Sequence, residues 1–175
     1  MTTLVLGIGN LLMGDEAVGV HVARRLEEVR SAPFDLAQGV PSDSRGAEDG
    51  DIDWSGVTVI DGGTGGFHLL SCLTDYDPVI VVDATMDGRP AGTVGVTTPK
   101  YASDFPRTLT AHDIGLRDLV ESAALVHGLP RMFLVTVSID AIQPMETGLT
   151  PPVASAIPEA VAAVRRLLCA SISAD

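Results

Sequence analysis

The chain predicts a single α/β domain, a mostly parallel sheet sandwiched between helices, and three observations carry that prediction. Its 175 residues suffice for one hydrophobic core. Short β-branched runs alternate with stretches whose apolar residues recur at helical spacing. One run, "PVIVVD" (78–83), is apolar throughout its strand portion, as a central parallel strand covered on both faces must be. Apolar residues make up 46% and charged residues 19%, which suits a compact folded chain. With aromatics at 4%, the core has to be built from Val, Leu, Ile and Ala.

The elements follow in order. "LVLGI" (4–8) is the first strand. Residues 16–30 place Val18, Val22, Leu26 and Val29 at helical spacing, with Arg24, Arg25, Glu27 and Glu28 supplying a wet face. "VTVI" (57–60) is the second strand, 65–75 a short helix and 78–83 the third strand. "GTVGVTT" (92–98) is a weaker strand whose glycines suit a sheet edge. Only eight residues separate Asp83 from Gly92, whereas a parallel crossover needs a dozen or more, so the fourth strand runs antiparallel. Residues 112–127 form a second long helix, "MFLVTVS" (132–138) the fifth strand, and 152–171 the last helix.

Residues 31–56 depart from this pattern. They hold six acids, one Arg and two Pro without sustained periodicity, and read as a mobile acidic insertion. The segment joins the first helix to the second strand. That puts it at the amino edge of the sheet, opposite the carboxyl edge where open α/β sheets bind ligands.

Charge narrows the function. The 23 acidic residues against 11 basic give a net charge of −12, which excludes nucleic acid and anionic membrane surfaces as partners. No run approaches the roughly 20 apolar residues of a membrane span. "MTTLVLGIGN" lacks the basic start and cleavage site of a signal peptide. Cys72 and Cys169 lie far apart and outside any CxxC, as apolar filler in a reducing compartment would. The expected location is cytoplasmic.

"GNLLMGDEAVG" (9–19), at the first strand-to-helix turn, has the outline of a nucleotide-binding loop. Leu12 stands where G-x-G-x-x-G needs its third glycine, and no GxxxxGK[ST] occurs. Asp15 and Glu16 would also repel a phosphate. Parallel strands instead bring Glu16, Asp61, Asp83 and Asp140 to the carboxyl edge, with His112 opening the second long helix. Residues 98–111 span up to about 45 Å when extended, enough to bring His112 there.

Each of these residues also has a plain structural explanation. Glu16 complements a helix dipole, Asp83 caps a turn, Asp61 braces a Gly-rich turn, and His112 belongs to a helix cap. Capping does not explain why they converge. Two carboxylates and an imidazole make a partial oxygen/oxygen/nitrogen shell for a borderline cation such as Ni²⁺ or Zn²⁺, with Asp15 adding negative potential. His21, His68 and His127 read as structural. Ser138 lacks the GxSxG elbow of an α/β hydrolase.

Five motifs occur in a fixed order: "LGIGNLLMGDEAVG", "IDGGTGGFHLL", "VVDAT", "AHDIGL" and "GLTPPV". Together they resemble the hydrogenase maturation endopeptidases of nickel–iron hydrogenases, over nearly the whole chain except 31–56. The resemblance implies a three-layer α/β/α sandwich with a five-stranded sheet, order 2-1-3-5-4, strand 4 antiparallel. It implies removal of a C-terminal extension from a nickel-loaded hydrogenase large-subunit precursor. Glu16, Asp83 and His112 match the family's metal-recognition residues, and Asp61 matches the Asp of its "DGGT" motif. Asp61, Asp83 and Glu16 are thus the catalytic candidates of an aspartic-type, metal-recognising peptidase. The metal is nickel carried by the precursor rather than bound permanently. The long 31–56 link is the one departure. Two other readings stay open here: a non-catalytic metal or small-ligand binding protein, and a peptidase with its own resident metal on the same fold.

Overall fold

A computed structural model describes residues 2–31, 52–100, 104, 116–126 and 128–172. Five strands form one sheet: β1 (Thr3–Gly7), β2 (Val57–Asp61), β3 (Val79–Thr85), β4 (Val94–Thr97) and β5 (Met132–Ser138). Their order is β2-β1-β3-β5-β4, all pairs parallel except β4 with β5. This is the expected topology, and the half-exposed β4 is the expected edge. The helices are α1 (Val18–Ser31), α2 (Cys72–Asp75), α3 (Leu116–Val126) and α4 (Pro151–Ile172). No helix of the described residues is long and apolar enough to cross a membrane.

Side-chain alternation along the strands makes two cores. Val5, Ile80, Val82, Val135 and Val137 face Val18, Val22 and Leu26 of α1 and Val153, Ala160, Val164 and Leu168 of α4. Leu4, Leu6, Val79, Val81 and Leu134 face the opposite side, against Leu73, Leu119, Val120 and Ala123 near α2 and α3. Three layers result. The central strands β1 and β3 have both faces covered, which is why β3 is apolar almost throughout.

Two boundaries differ from the sequence expectation for local reasons. The first helix begins at Val18 rather than 16, because Gly14–Ala17 forms a 3₁₀ turn ahead of it. The short helix expected over 65–75 divides into a 3₁₀ turn, Phe67–Leu69, and α2.

The expected insertion is shorter than 31–56. Ser31 ends α1, and at the other end Asp53 accepts a hydrogen bond from the Ser55 amide (2.9 Å) to cap a 3₁₀ turn over Trp54–Gly56. Ile52 and Trp54 pack against the α1/α4 core. Their burial outweighs the acidic composition around them. Residues 32–51, on which the expected mobility falls, lie outside the described residues. The chain re-enters the sheet at Val57, the amino end of β2, as expected for a link at that edge.

Candidate active site

The turn from β1 to α1 is unusually tight, and glycine makes it so. A Cβ on Gly19 would press into the backbone carbonyl oxygens of both Ile8 and Val82, and one on Gly7 into the Gly19 carbonyl. The Ile8 amide also donates to Val82 O (2.9 Å), extending the β1–β3 pairing past Gly7. The first turn of α1 therefore rests on the carboxyl ends of β1 and β3. Glu16 lies just before that helix and Asp83 just after Val82, so the packing brings the two acids together. Leu12, at the third-glycine place of a dinucleotide loop, is instead 52% exposed; close helix–strand contact falls to Gly19.

The loop ahead of α1 then aims Glu16. The Asn10 main-chain N–H donates to Glu16 Oε2, and the Asn10 side chain turns back to accept from the Leu12 amide (3.0 Å). Asp83 is half-buried, its Oδ1 accepting from the Ala84 amide (2.8 Å). Burial, then repulsion from Glu16, pushes the Asp83 acid up to about 8, against the opposing pull of the Ala84 bond. Repulsion between two acids is relieved by a cation.

Asp61 sits apart from this pair. It is level with Gly7 on β1, which is level with Val82 on β3. Two inter-strand spacings, about 10 Å, separate its backbone from β3. Its Oδ2 accepts from Arg24 Nε (3.0 Å) and Nη2 (2.9 Å), and its Oδ1 from the Gly63 amide (3.0 Å). His112 lies outside the described residues. Among the described residues no group of three His, Cys, Asp or Glu gathers closely enough to hold a metal. Glu16 and Asp83 thus interact electrostatically, while Asp61 stands on β2, two strand spacings from β3.

Asp15 has a structural task that the sequence did not show. It is 2% exposed and hydrogen-bonded inside the fold. Its oxygens accept from the Thr150 amide (2.6 Å), Thr150 Oγ1 (2.8 Å) and Gln143 Nε2 (3.1 Å). Thr150 precedes α4, and its carbonyl accepts the first bond of that helix from Ala154 (2.9 Å). Asp15 therefore fastens the β1–α1 turn to the start of α4, and the "GLTPPV" motif is the other half of that joint. Asp15→Ala strands the three donors and is expected to cost about 2–4 kcal/mol. A urea unfolding curve measures the loss.

The remaining candidates have mixed settings. Asp140 is exposed and lines a shallow recess with Met86, Gly88 and Arg89. Ser138 is fully buried and donates to Asp87 Oδ1 (2.9 Å), a carboxylate that Arg89 holds below its usual range. His68 is exposed, and His127 lies outside the described residues. Arg24 and Asn10 were missed by sequence reasoning. Arg24 read as one more charge on a wet helix face. The available signal was the surplus of arginine: α1 has three and only two glutamates.

Comparison with known proteins agrees with the motifs. A family model described as hydrogenase maturation protease matches residues 48–167, a span that includes Asp61, Asp83 and His112. The hydrogenase 2 maturation protease of Escherichia coli is 30% identical over 164 residues, covering 92% of this chain and 87% of the relative. The hydrogenase expression/formation protein HupD of Rhodobacter capsulatus is 31% identical, over 94% of this chain and 70% of its own length. The solved structure of the E. coli maturating endopeptidase HybD superposes with a TM-score of 0.76 at 28% identity, covering 98% of this chain and 94% of that one. The sheet, the motifs and the matched family agree on one assignment: the chain belongs to the hydrogenase maturation proteases.

Proposed function

We propose that the chain is an aspartic-type endopeptidase that removes the C-terminal extension of a nickel–iron hydrogenase large-subunit precursor after nickel insertion. The observation that carries this reading is the electrostatic coupling of Glu16 with Asp83 near the carboxyl edge, where the packing of α1 on β1 and β3 places them and Asp83 is half-buried. Oxygen donors with an imidazole suit a borderline divalent ion, and His112 is the imidazole proposed to complete the set. The nickel belongs to the substrate, so the pair tests whether the precursor is loaded before it docks.

Glu16, Asp83 and His112 would hold the precursor's nickel, which would supply positive charge near the scissile carbonyl. Asp61, exposed and outside the pair, is the proposed general base. It takes a proton from water as the water oxygen bonds to the carbonyl carbon. It returns that proton to the peptide nitrogen as the C–N bond breaks. Action in the cytoplasm is part of the same proposal, the two cysteines lying far apart in sequence and outside any CxxC.

Incubation with nickel-loaded and nickel-free precursor, followed by mass measurement of the large subunit, tests the reading. The loaded form alone is expected to lose a C-terminal peptide. Glu16→Ala, Asp83→Ala and His112→Ala should each abolish the loss. Cleavage of neither form, or equal cleavage of both, overturns the reading. A stoichiometric metal in the purified chain would favour a resident-metal peptidase instead.

A further inference from the structure

The ion pairs of α1 single out Arg24. Arg25 Nη1 donates to Glu28 (2.7 Å) and Arg30 Nη1 to Glu27 (3.4 Å), both within the helix. Arg24 has those same two glutamates three and four residues ahead, the spacing at which helical pairs form. It leaves the helix instead for the end of β2, where its Nε and Nη2 both donate to one oxygen, Asp61 Oδ2. The Gly63 amide takes Oδ1. Three bonds thus fix the plane of one surface carboxylate.

Stability does not account for this arrangement. The Arg24 and Asp61 side chains are 52% and 36% exposed, and exposed ion pairs contribute little. The effect of the three bonds is orientation. A carboxylate oxygen accepts about two hydrogen bonds. Among the described residues, Oδ2 is filled and Oδ1 keeps one acceptor position.

We propose that Arg24 is a positioning residue: its guanidinium occupies Asp61 Oδ2 and so presents Oδ1 to the water that attacks the scissile peptide. This rests on the proposed role of Asp61 as general base. The proton passes from water to Oδ1 and then to the leaving nitrogen, while Arg24 takes no part in the transfer.

His21, one helical turn before Arg24, reports on the pair without any substrate. Among the described residues its Nε2 is buried without a hydrogen-bond partner. Burial and then the Arg24 charge lower the imidazole from its ordinary value, and the Asp61 charge pulls it back up. Removing Arg24 should raise the His21 titration midpoint. Removing Asp61 should lower it.

The experiment follows processing of nickel-loaded precursor at several precursor concentrations, with His21 titrated by proton NMR in the same proteins. Arg24→Ala is expected to lower kcat at least tenfold with KM within twofold. Arg24→Lys should recover part of the rate, and added guanidinium should rescue Arg24→Ala but not Asp61→Ala. The double variant should be no slower than Asp61→Ala alone. Arg24→Ala that cleaves within twofold of the parent, while Asp61→Ala is inactive, overturns this inference and spares the role of Asp61. So does an Arg24 effect that persists unchanged in the Asp61→Ala background, or an unmoved His21 midpoint in Arg24→Ala. Normal cleavage by Asp61→Ala removes the base assignment, and the role of Arg24 with it.

Discussion

Gly19→Ala is expected to destabilise the protein by about 3 kcal/mol or more, although it adds a single methyl to a residue type that favours helices. The new Cβ would lie against the carbonyl oxygens of Ile8, just past β1, and Val82, within β3. The Val82 oxygen cannot move without disturbing the bond it accepts from the Ile8 amide. The helix has to lift instead. For a chain of this length, 3 kcal/mol corresponds to a fall in Tm of roughly 6–12 °C. Lifting α1 also separates Glu16 from Asp83, so any stabilisation by added Ni²⁺ should disappear with it. Gly56→Ala is the control. Nothing lies within 4 Å of its added Cβ, and its unfolding midpoint should be close to the parent's.

The second large effect concerns Asp83 and is pH-dependent. In the unfolded chain this acid titrates near 3.8, and in the fold near 8. Between those values the folded state holds a proton that the unfolded state has released. Stability from this group is therefore complete below about pH 4 and is lost as pH rises through about 8. Asp83→Asn removes the titration, so its advantage over the parent should be absent at pH 4 and full at pH 8.5. A displacement of this size corresponds to several kcal/mol. The residue keeps some exposure, which reduces the figure, and a rise in Tm on the order of 5 °C at pH 8.5 is expected. Added Ni²⁺ should raise the parent's Tm at pH 8.5, because a cation relieves the same repulsion, and should leave Asp83→Asn unmoved. Thermal unfolding at the two pH values, with and without Ni²⁺, measures all of these effects. An Asn variant no more stable than the parent at pH 8.5 would show that Asp83 is not strained by burial and Glu16.

The two predictions share a cause. The same close approach that Gly19 permits is what sets one carboxylate against another. A cation brought to the edge, as the precursor's nickel would be, would relieve a cost that the folded chain carries by itself.

Local patterning made much of the fold legible in advance. The five strands and the three longer helices follow from apolar periodicity, because one face of each must leave water. The antiparallel β4 follows from a connection too short for a crossover. Glu16, Asp61 and Asp83 could be placed at one sheet edge because parallel strands end their chemistry together. Where sequence reasoning failed, the missing information was non-local. Asp15 and Glu16 are adjacent acids, and no local rule says which is buried. The answer lies with Thr150 and Gln143, more than 120 residues away in sequence. Ile52 and Trp54 sat inside a segment whose acidic composition hid their packing.

The sequence by itself determined the order of elements, the parallel core and the identity of the acids at its carboxyl edge, since these depend on side-chain period and connection length. The tertiary structure alone decided how those acids are partnered. It paired Glu16 with Asp83 across a glycine contact, turned Asp15 inward as a structural joint, and set Asp61 one strand aside under the hand of Arg24. The physical reason is that charge and hydrogen bonding act through space. Their partners are chosen by which backbones approach closely, and that is a property of the packed fold.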